Sequence, residues 1–203
     1  MARRFFVFLP LVLTLFAVSP ARAEEPLAPE SVTVHTQAKG APFPHYWEQM
    51  FGSGRAILSL RESYRRDLRA VKAITNFQYL RFHDILDDDV GLVIGDSQGH
   101  IGYNFSWVDE IYDGLLDNGV RPFVELSFMP RALAANPTAH PFWYKPIPSP
   151  PKSYRQWGDL IRAFTQHLVD RYGLPEVNQW YFEVWNEPNL DFWGGVPRQA
   201  SYF

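Results

Sequence analysis

Glu187 is the residue with the clearest chemical promise. It follows Tyr181-Phe182-Glu183-Val184-Trp185-Asn186 and precedes Pro188-Asn189. Aromatic and β-branched residues at that density read as a buried strand. Pro188 has no N–H and biases Glu187 away from helical geometry, so the strand is expected to stop there. A carboxyl group at the rim of a buried sheet, among aromatic rings, can keep its proton near neutral pH because low polarity disfavours its charge. Such a group is a proton donor, which cleavage of an acetal or glycoside requires. A bare Asn-Glu-Pro would read as a surface turn; the hydrophobic strand before it favours the donor. Asn186 is either a turn residue or a companion whose amide bonds a sugar hydroxyl while Glu187 gives up its proton.

A second carboxylate is harder to find. Glu183 precedes Glu187 by four residues, and strand rise sets it about 13 Å deeper. A retaining pair needs about 5 Å between carboxyls and an inverting pair about 6.5–9.5 Å. Glu183 therefore reads as a structural interior acid. Glu125, inside the stretch Val120 to Met129, is also expected below the rim. His83 and Asp84 end the apolar stretch Phe77 to Phe82 and face the same rim, so His83 is a candidate ligand contact. Asp87, Asp88 and Asp89 lack the spaced ligands of a calcium loop and read as solvated. The histidines show no zinc spacing, and no Gly-x-Ser-x-Gly elbow occurs. Gly52-Ser53-Gly54 hints at a dinucleotide loop, but Ile57 stands where a third glycine belongs, so a turn at a strand end is preferred. No metal or organic cofactor is expected.

The elements that must position these groups alternate. Strands are expected at Tyr46 to Phe51, Phe77 to Phe82, Val120 to Met129 and Tyr181 to Trp185. Helices are expected at Arg65 to Asn76 (Leu68, Val71 and Ile74 inward), after Ser106 (Val108, Ile111, Tyr112, Leu115, Leu116), and after Ser153 (Trp157, Leu160, Ile161, Phe164, Leu168). Ser106 reads as a helix cap, and Ser153 with Gln156 forms a capping-box pattern. This alternation implies parallel strands with helical crossovers. Loops leaving strands are long and loops entering them short, as at the working face of a (β/α)₈ barrel. A doubly wound sheet shares that polarity. Ahead of these units, Ser31 to Gln37 alternates and reads as a short accessory strand within a leader spanning 24–45.

Arg3 and Arg4, an apolar run from Phe5 to Val18 and Ala21-Arg22-Ala23 describe a secretory signal peptide over 1–23, with export to the periplasm or medium expected. Pro10 and the short span argue against an anchor. Without cysteine the chain has no disulfide, thiolate metal site or Cys nucleophile. With Arg3, Arg4 and Arg22 removed, 22 acidic residues face 16 basic ones, against a nucleic-acid or anionic-membrane partner. The aromatic content suits a sugar cleft, or simply an aromatic core.

The segment Phe182 to Leu190 (FEVWNEPNL) with Phe192-Trp193 closely resembles the acid/base segment of glycoside hydrolase family 39, which holds β-xylosidases and α-L-iduronidases on a (β/α)₈ barrel. The similarity is collinear through Gly52-Ser53-Gly54-Arg55-Ala56, Leu80-Arg81-Phe82-His83, Tyr103-Asn104-Phe105-Ser106, Arg121 to Pro130, His167 and Arg171-Tyr172-Gly173. It implies an α/β TIM-barrel fold, Glu187 as acid/base, Asn186 against the sugar next to the reacting carbon, and His83 seating the sugar. Val184 and Asn189-Leu190 look nearer the xylosidase branch. Asp84 stands where that branch carries glycine, adding a carboxylate beside the sugar subsite. In this clan the nucleophile ends strand seven, whereas Phe203 follows shortly after strand four.

The expectation is therefore that 46–203 form the first four β/α units of the barrel, a fragment without its nucleophile. The activity expected of the whole is retaining hydrolysis, β-xylosidase-like, with iduronide or exopolysaccharide as other substrates. An inactive carbohydrate-binding remnant is the rival reading, and a redox enzyme using the Gly52 region is a weaker one. Carbohydrate is the expected partner; oligomeric state is left open.

Overall fold

A computed structural model describes residues 30–138 and 141–190. The expected signal peptide, residues 24–29 of the leader, and Phe192-Trp193 lie outside the described residues. The chain divides into two units, Met1–Pro42 and Phe43–Phe203. In the first, the expected strand at Ser31 to Gln37 does not form. Val32 and Val34 are exposed, and the segment makes only a turn in which the Ala38 N–H donates to the His35 carbonyl (3.2 Å). Among the described residues no neighbour supplies ladder partners to the two alternating valines, and a lone strand is not stable.

The second unit is built on β1 (Met50–Arg55), β2 (Tyr79–His83), β5 (Arg121–Glu125) and β6 (Tyr181–Glu183), which pair in that order and all in parallel. Crossovers are α1 (Glu62–Ile74), α2 (Ser106–Leu116) and α3 (Tyr154–Tyr172), the last followed by the one-turn α4 (Leu174–Val177). A doubly wound sheet reverses strand order at its switch point. Here successive parallel strands remain neighbours, as they do when a sheet curls into a barrel.

Several boundaries differ from the sequence reading. Tyr46–Gln49 is a 3₁₀ turn with Tyr46 and Trp47 exposed, and the strand begins only at Met50. Gly52 and Gly54 therefore lie inside β1 rather than after it, where the register with β2 shifts between Gly52 and Arg55. In α1 Leu68 is buried, but Val71 is partly exposed and Ile74 is 84% exposed. The loop from Ile85 to Phe105 contains a hairpin, β3 (Val93–Gly95) antiparallel to β4 (Ile101–Tyr103). No helix among the described residues is long and apolar enough to cross a membrane.

Helices α2 and α3 follow their spacing. Val108, Ile111, Tyr112 and Leu115 of α2 and Leu160, Phe164 and Leu168 of α3 are buried against the sheet. Ser153 caps α3, accepting from the Gln156 N–H at 3.4 Å. At α2 the cap differs: the Asn104 side-chain oxygen accepts from the Ser106 N–H (3.1 Å) and hydroxyl (2.8 Å). After α2 the Gly119 N–H bonds the Leu116 carbonyl at 2.8 Å, with Gly119 at φ 66°. A Cβ there would meet nothing closer than Lys72 Cε at 3.5 Å, so only backbone strain opposes it. Gly119→Ala is expected to cost about 1–2 kcal/mol, read as a lower urea midpoint with unchanged denaturant slope.

Candidate active site

Side chains alternate along each strand, and the alternation separates hydrocarbon from charge. Leu80 and Phe82 of β2 and Val124 of β5 join the core beneath the helices. Arg81 and His83, Phe123 and Glu125, Tyr181 and Glu183 occupy the opposite set. Register aligns Arg81 with Phe123, Phe123 with Tyr181, and Glu125 with Glu183. The inner face is consequently layered: Tyr79, Phe123 and Tyr181 form an aromatic floor with centroids 4.9 and 5.5 Å apart. The charged residues lie above them, toward the carboxyl ends of the strands.

Arg81 ties that charged layer together. Its Nε donates to Glu183 Oε2 (2.7 Å), and Nη2 reaches Glu183 Oε1 (3.1 Å), Glu125 Oε2 (2.8 Å) and Asn186 Oδ1 (2.9 Å). Burial pulls the guanidinium toward losing its proton. The hydrogen bond to Glu183 and the charges of Glu125, Glu183 and Glu187 outweigh it and hold the group above the ordinary arginine value. Glu125 is fully enclosed; its Oε2 lies 2.6 Å from His83 Nδ1 and its Oε1 accepts from the Ser127 hydroxyl. Asn186 Nδ2 donates in turn to Glu187 Oε2 at 3.4 Å. An unbroken path thus runs His83–Glu125–Arg81–Asn186–Glu187.

Glu187 sits just past β6 in left-handed backbone geometry (φ 46°), its carbonyl accepting from the Leu190 N–H at 3.1 Å. Trp185, two residues before, is buried, its ring edge-on to Phe128 with centroids 5.7 Å apart. The carboxyl is exposed; the described residues do not supply the apolar enclosure expected for it, although Asn186 keeps it on the network. His83 is half-buried at the end of β2. Asp84 is 0% exposed at φ 75°, and neither carboxyl oxygen has a hydrogen-bond partner. It does not line the rim as an open carboxylate. Asp87 also departs from the solvated reading: it is buried, accepts from the Asp89 N–H at 3.0 Å, and burial raises it to about 6. Asp89 pairs with Arg55 at 2.6 Å, and that guanidinium lies over Tyr144 at 4.3 Å and the exposed Trp143 at 5.4 Å.

Arg81 and the pairing of Glu125 with His83 were not anticipated. The signal was present in Phe77 to Phe82: an arginine at an alternating position of an apolar strand, two residues from a histidine, must find acids on its own face. Among the described residues no three His, Asp or Glu side chains gather closely enough to hold a metal ion. Chemically, the arrangement offers an exposed carboxyl and an amide at the rim, with an imidazole nearby and a buried charge network beneath.

The family model for glycosyl hydrolases family 39 matches residues 30–203. A β-xylosidase of Caldicellulosiruptor saccharolyticus is 42% identical over 170 residues, 83% of this chain and 35% of that protein. The crystal structure of a monomeric β-xylosidase from Caulobacter crescentus superposes with a TM-score of 0.73 at 39% identity, covering 80% of this chain and 32% of that one. Human α-L-iduronidase is 25% identical over 189 residues, 89% of this chain and 27% of its own length. The chain spans about a third of the length of these relatives. The four parallel strands and their helices are a partial α/β barrel of the relatives' kind.

Proposed function

The chain belongs to glycosyl hydrolase family 39, and from that premise we propose that it carries the acid/base half of a site that cleaves glycosides with retention. The observation that carries this reading is the hydrogen-bonded path ending in Asn186 and Glu187 at the carboxyl rim of the sheet. In the first step Glu187 would give its proton to the leaving oxygen as the glycosidic bond breaks and a second carboxylate bonds the anomeric carbon. In the second, water adds to that carbon, Glu187 takes the water's proton, and the carboxylate departs. Glu125 and Glu183 are not offered as the attacking group, since both are engaged by Arg81. That carboxylate is proposed to come from a part of the barrel outside this third.

His83 and Asn186 are proposed to seat the sugar, with Asp84 shaping the subsite from behind. A β-xyloside is the proposed substrate class, supported by the names of the relatives at 42% identity. Export directed by residues 1–23 is part of the same proposal, supported by the Arg3-Arg4 and Ala21-Arg22-Ala23 flanks of the apolar run. A binding role without turnover is the second reading, favoured by the engagement of both other inner-face glutamates. Purified chain should bind xylobiose in calorimetric titration, and His83→Ala should weaken that binding by about 1–3 kcal/mol, the cost of an unpaired buried polar partner. Turnover of an aryl β-xyloside would remove the binding-only reading. Binding of a uronide with no measurable pentoside binding would overturn the substrate class.

A further inference from the structure

Asp84 occupies a site that a carboxylate tolerates badly. Both oxygens are enclosed and, among the described residues, without a hydrogen-bond partner, an arrangement unfavourable for a neutral acid and far more so for a charged one. The groups facing it are mostly of like sign: Asp87 and Asp89 from its own loop and Glu125 from β5, with Arg55 from the end of β1 the opposing charge and Tyr144 from the loop after β5. Its neighbours are the polar layer itself. Asp84 follows His83 directly, and its carbonyl accepts from the Asp87 N–H at 3.2 Å. The Leu86 N–H bonds the Ser127 carbonyl at 2.9 Å, and the Ser127 hydroxyl donates to Glu125, the partner of His83. The turn that encloses Asp84 is thus fastened to the strand end that orients the imidazole.

We propose that Asp84 is a positioning residue for His83: its enclosed side chain lets the backbone-bonded turn stay closed while uncharged and forces it open when ionised. Burial raises the group to about 8, with Asp87, Asp89 and Glu125 adding to the rise and Arg55 opposing it. An unfolded chain gives up the same proton at about pH 4. Between those values the folded state holds a proton that the unfolded state lacks, so stability falls as pH rises and, from this residue, falls no further above the folded value. Among the described residues its charged form has no hydrogen-bond partner, and Arg55 is already paired with Asp89, so water must enter the turn. The imidazole of His83 then loses the backbone that fixes it. The importance of His83 rests on the sugar-seating role proposed above; the switch itself does not.

The test compares the full chain with Asp84→Asn and Asp84→Gly. Asparagine and glycine both accept left-handed backbone, so neither variant is opposed by φ 75°. Ring ¹⁵N signals, with that of His83 identified by its loss in His83→Gln, are followed from pH 5 to 9.5 beside urea unfolding. In the parent the His83 Nδ1 signal moves through a transition near pH 8, and in both variants it does not. The unfolding constant of the parent rises against that of Asp84→Asn by up to tenfold per pH unit below the transition and then holds. The proposal is overturned if His83 shifts alike in parent and variants, or if the ratio of unfolding constants is flat from pH 5 to 8. Neither readout uses sugar, so failure of the glycosidase reading would leave both unchanged.

Discussion

Arg81→Met is expected to destabilise the chain by about 3–5 kcal/mol, the usual effect of stripping one partner from a buried ion pair. The substitution keeps most of the side-chain bulk, so the loss is electrostatic. It leaves Glu125 with no exposed surface and only His83 and Ser127 for company, and Glu183 without its two-pronged partner. Arg81→Lys should recover part of this, because an ammonium supplies charge but not a planar fork able to serve Glu183, Glu125 and Asn186 together. Urea denaturation of the three proteins measures both steps. A cost below 1 kcal/mol for Met would show that Glu125 is satisfied without the guanidinium, and the central position given to Arg81 would be lost.

Glu187→Gln, placed in an enzyme that carries this segment together with the attacking carboxylate, should lower kcat/KM on an unactivated xyloside by a factor on the order of 10²–10⁴. The amide preserves shape and can still accept from Asn186, so binding of sugar should change little. Aryl xylosides with acidic phenols depart without protonation and should be hit least in the first step. The diagnostic is therefore a steeper dependence of rate on leaving-group acidity in the variant than in the parent. Equal slopes would remove Glu187 from proton donation.

The parts of this molecule that the sequence reveals are those where one interaction dominates. Helices α2 and α3 follow from Val108-Ile111-Tyr112-Leu115 and Leu160-Phe164-Leu168 because burial on one face overrides other influences. Ile74 fits the same spacing yet lies exposed at the C-terminal end of α1, since periodicity marks a face without showing how far its cover extends. Tyr46 and Trp47 read as strand by residue type, but β1 has partners in β2 only from Met50 onward. Around the site, Asn186 and Glu187 were legible as residues beyond a strand end, but Pro188 does not set that end: pairing in β6 stops at Glu183, and Tyr181, Phe182 and Val184 are exposed where their types read as a buried strand. The position of Asp84 was not legible: the turn that encloses it is tied to Ser127, some 40 residues away, and its charge is felt by Tyr144, some 60 residues away. Arg81 was visible as a letter, while its role depends on a register with β5 and β6 that no local pattern encodes.

The two-residue repeat of β2 makes its length as restrictive as its composition. Deleting one residue between Tyr79 and His83 would turn the guanidinium toward the pocket filled by Leu80 and Phe82 and present two hydrocarbons where Glu125 and Glu183 wait. Insertions and deletions in this part of the lineage should then accumulate in exposed turns farther from the strand ends, such as Asp96 to His100 between β3 and β4, while strand segments change by substitution alone. Variation in reach around the rim becomes evolutionarily cheap, and variation in the charged layer beneath it nearly impossible.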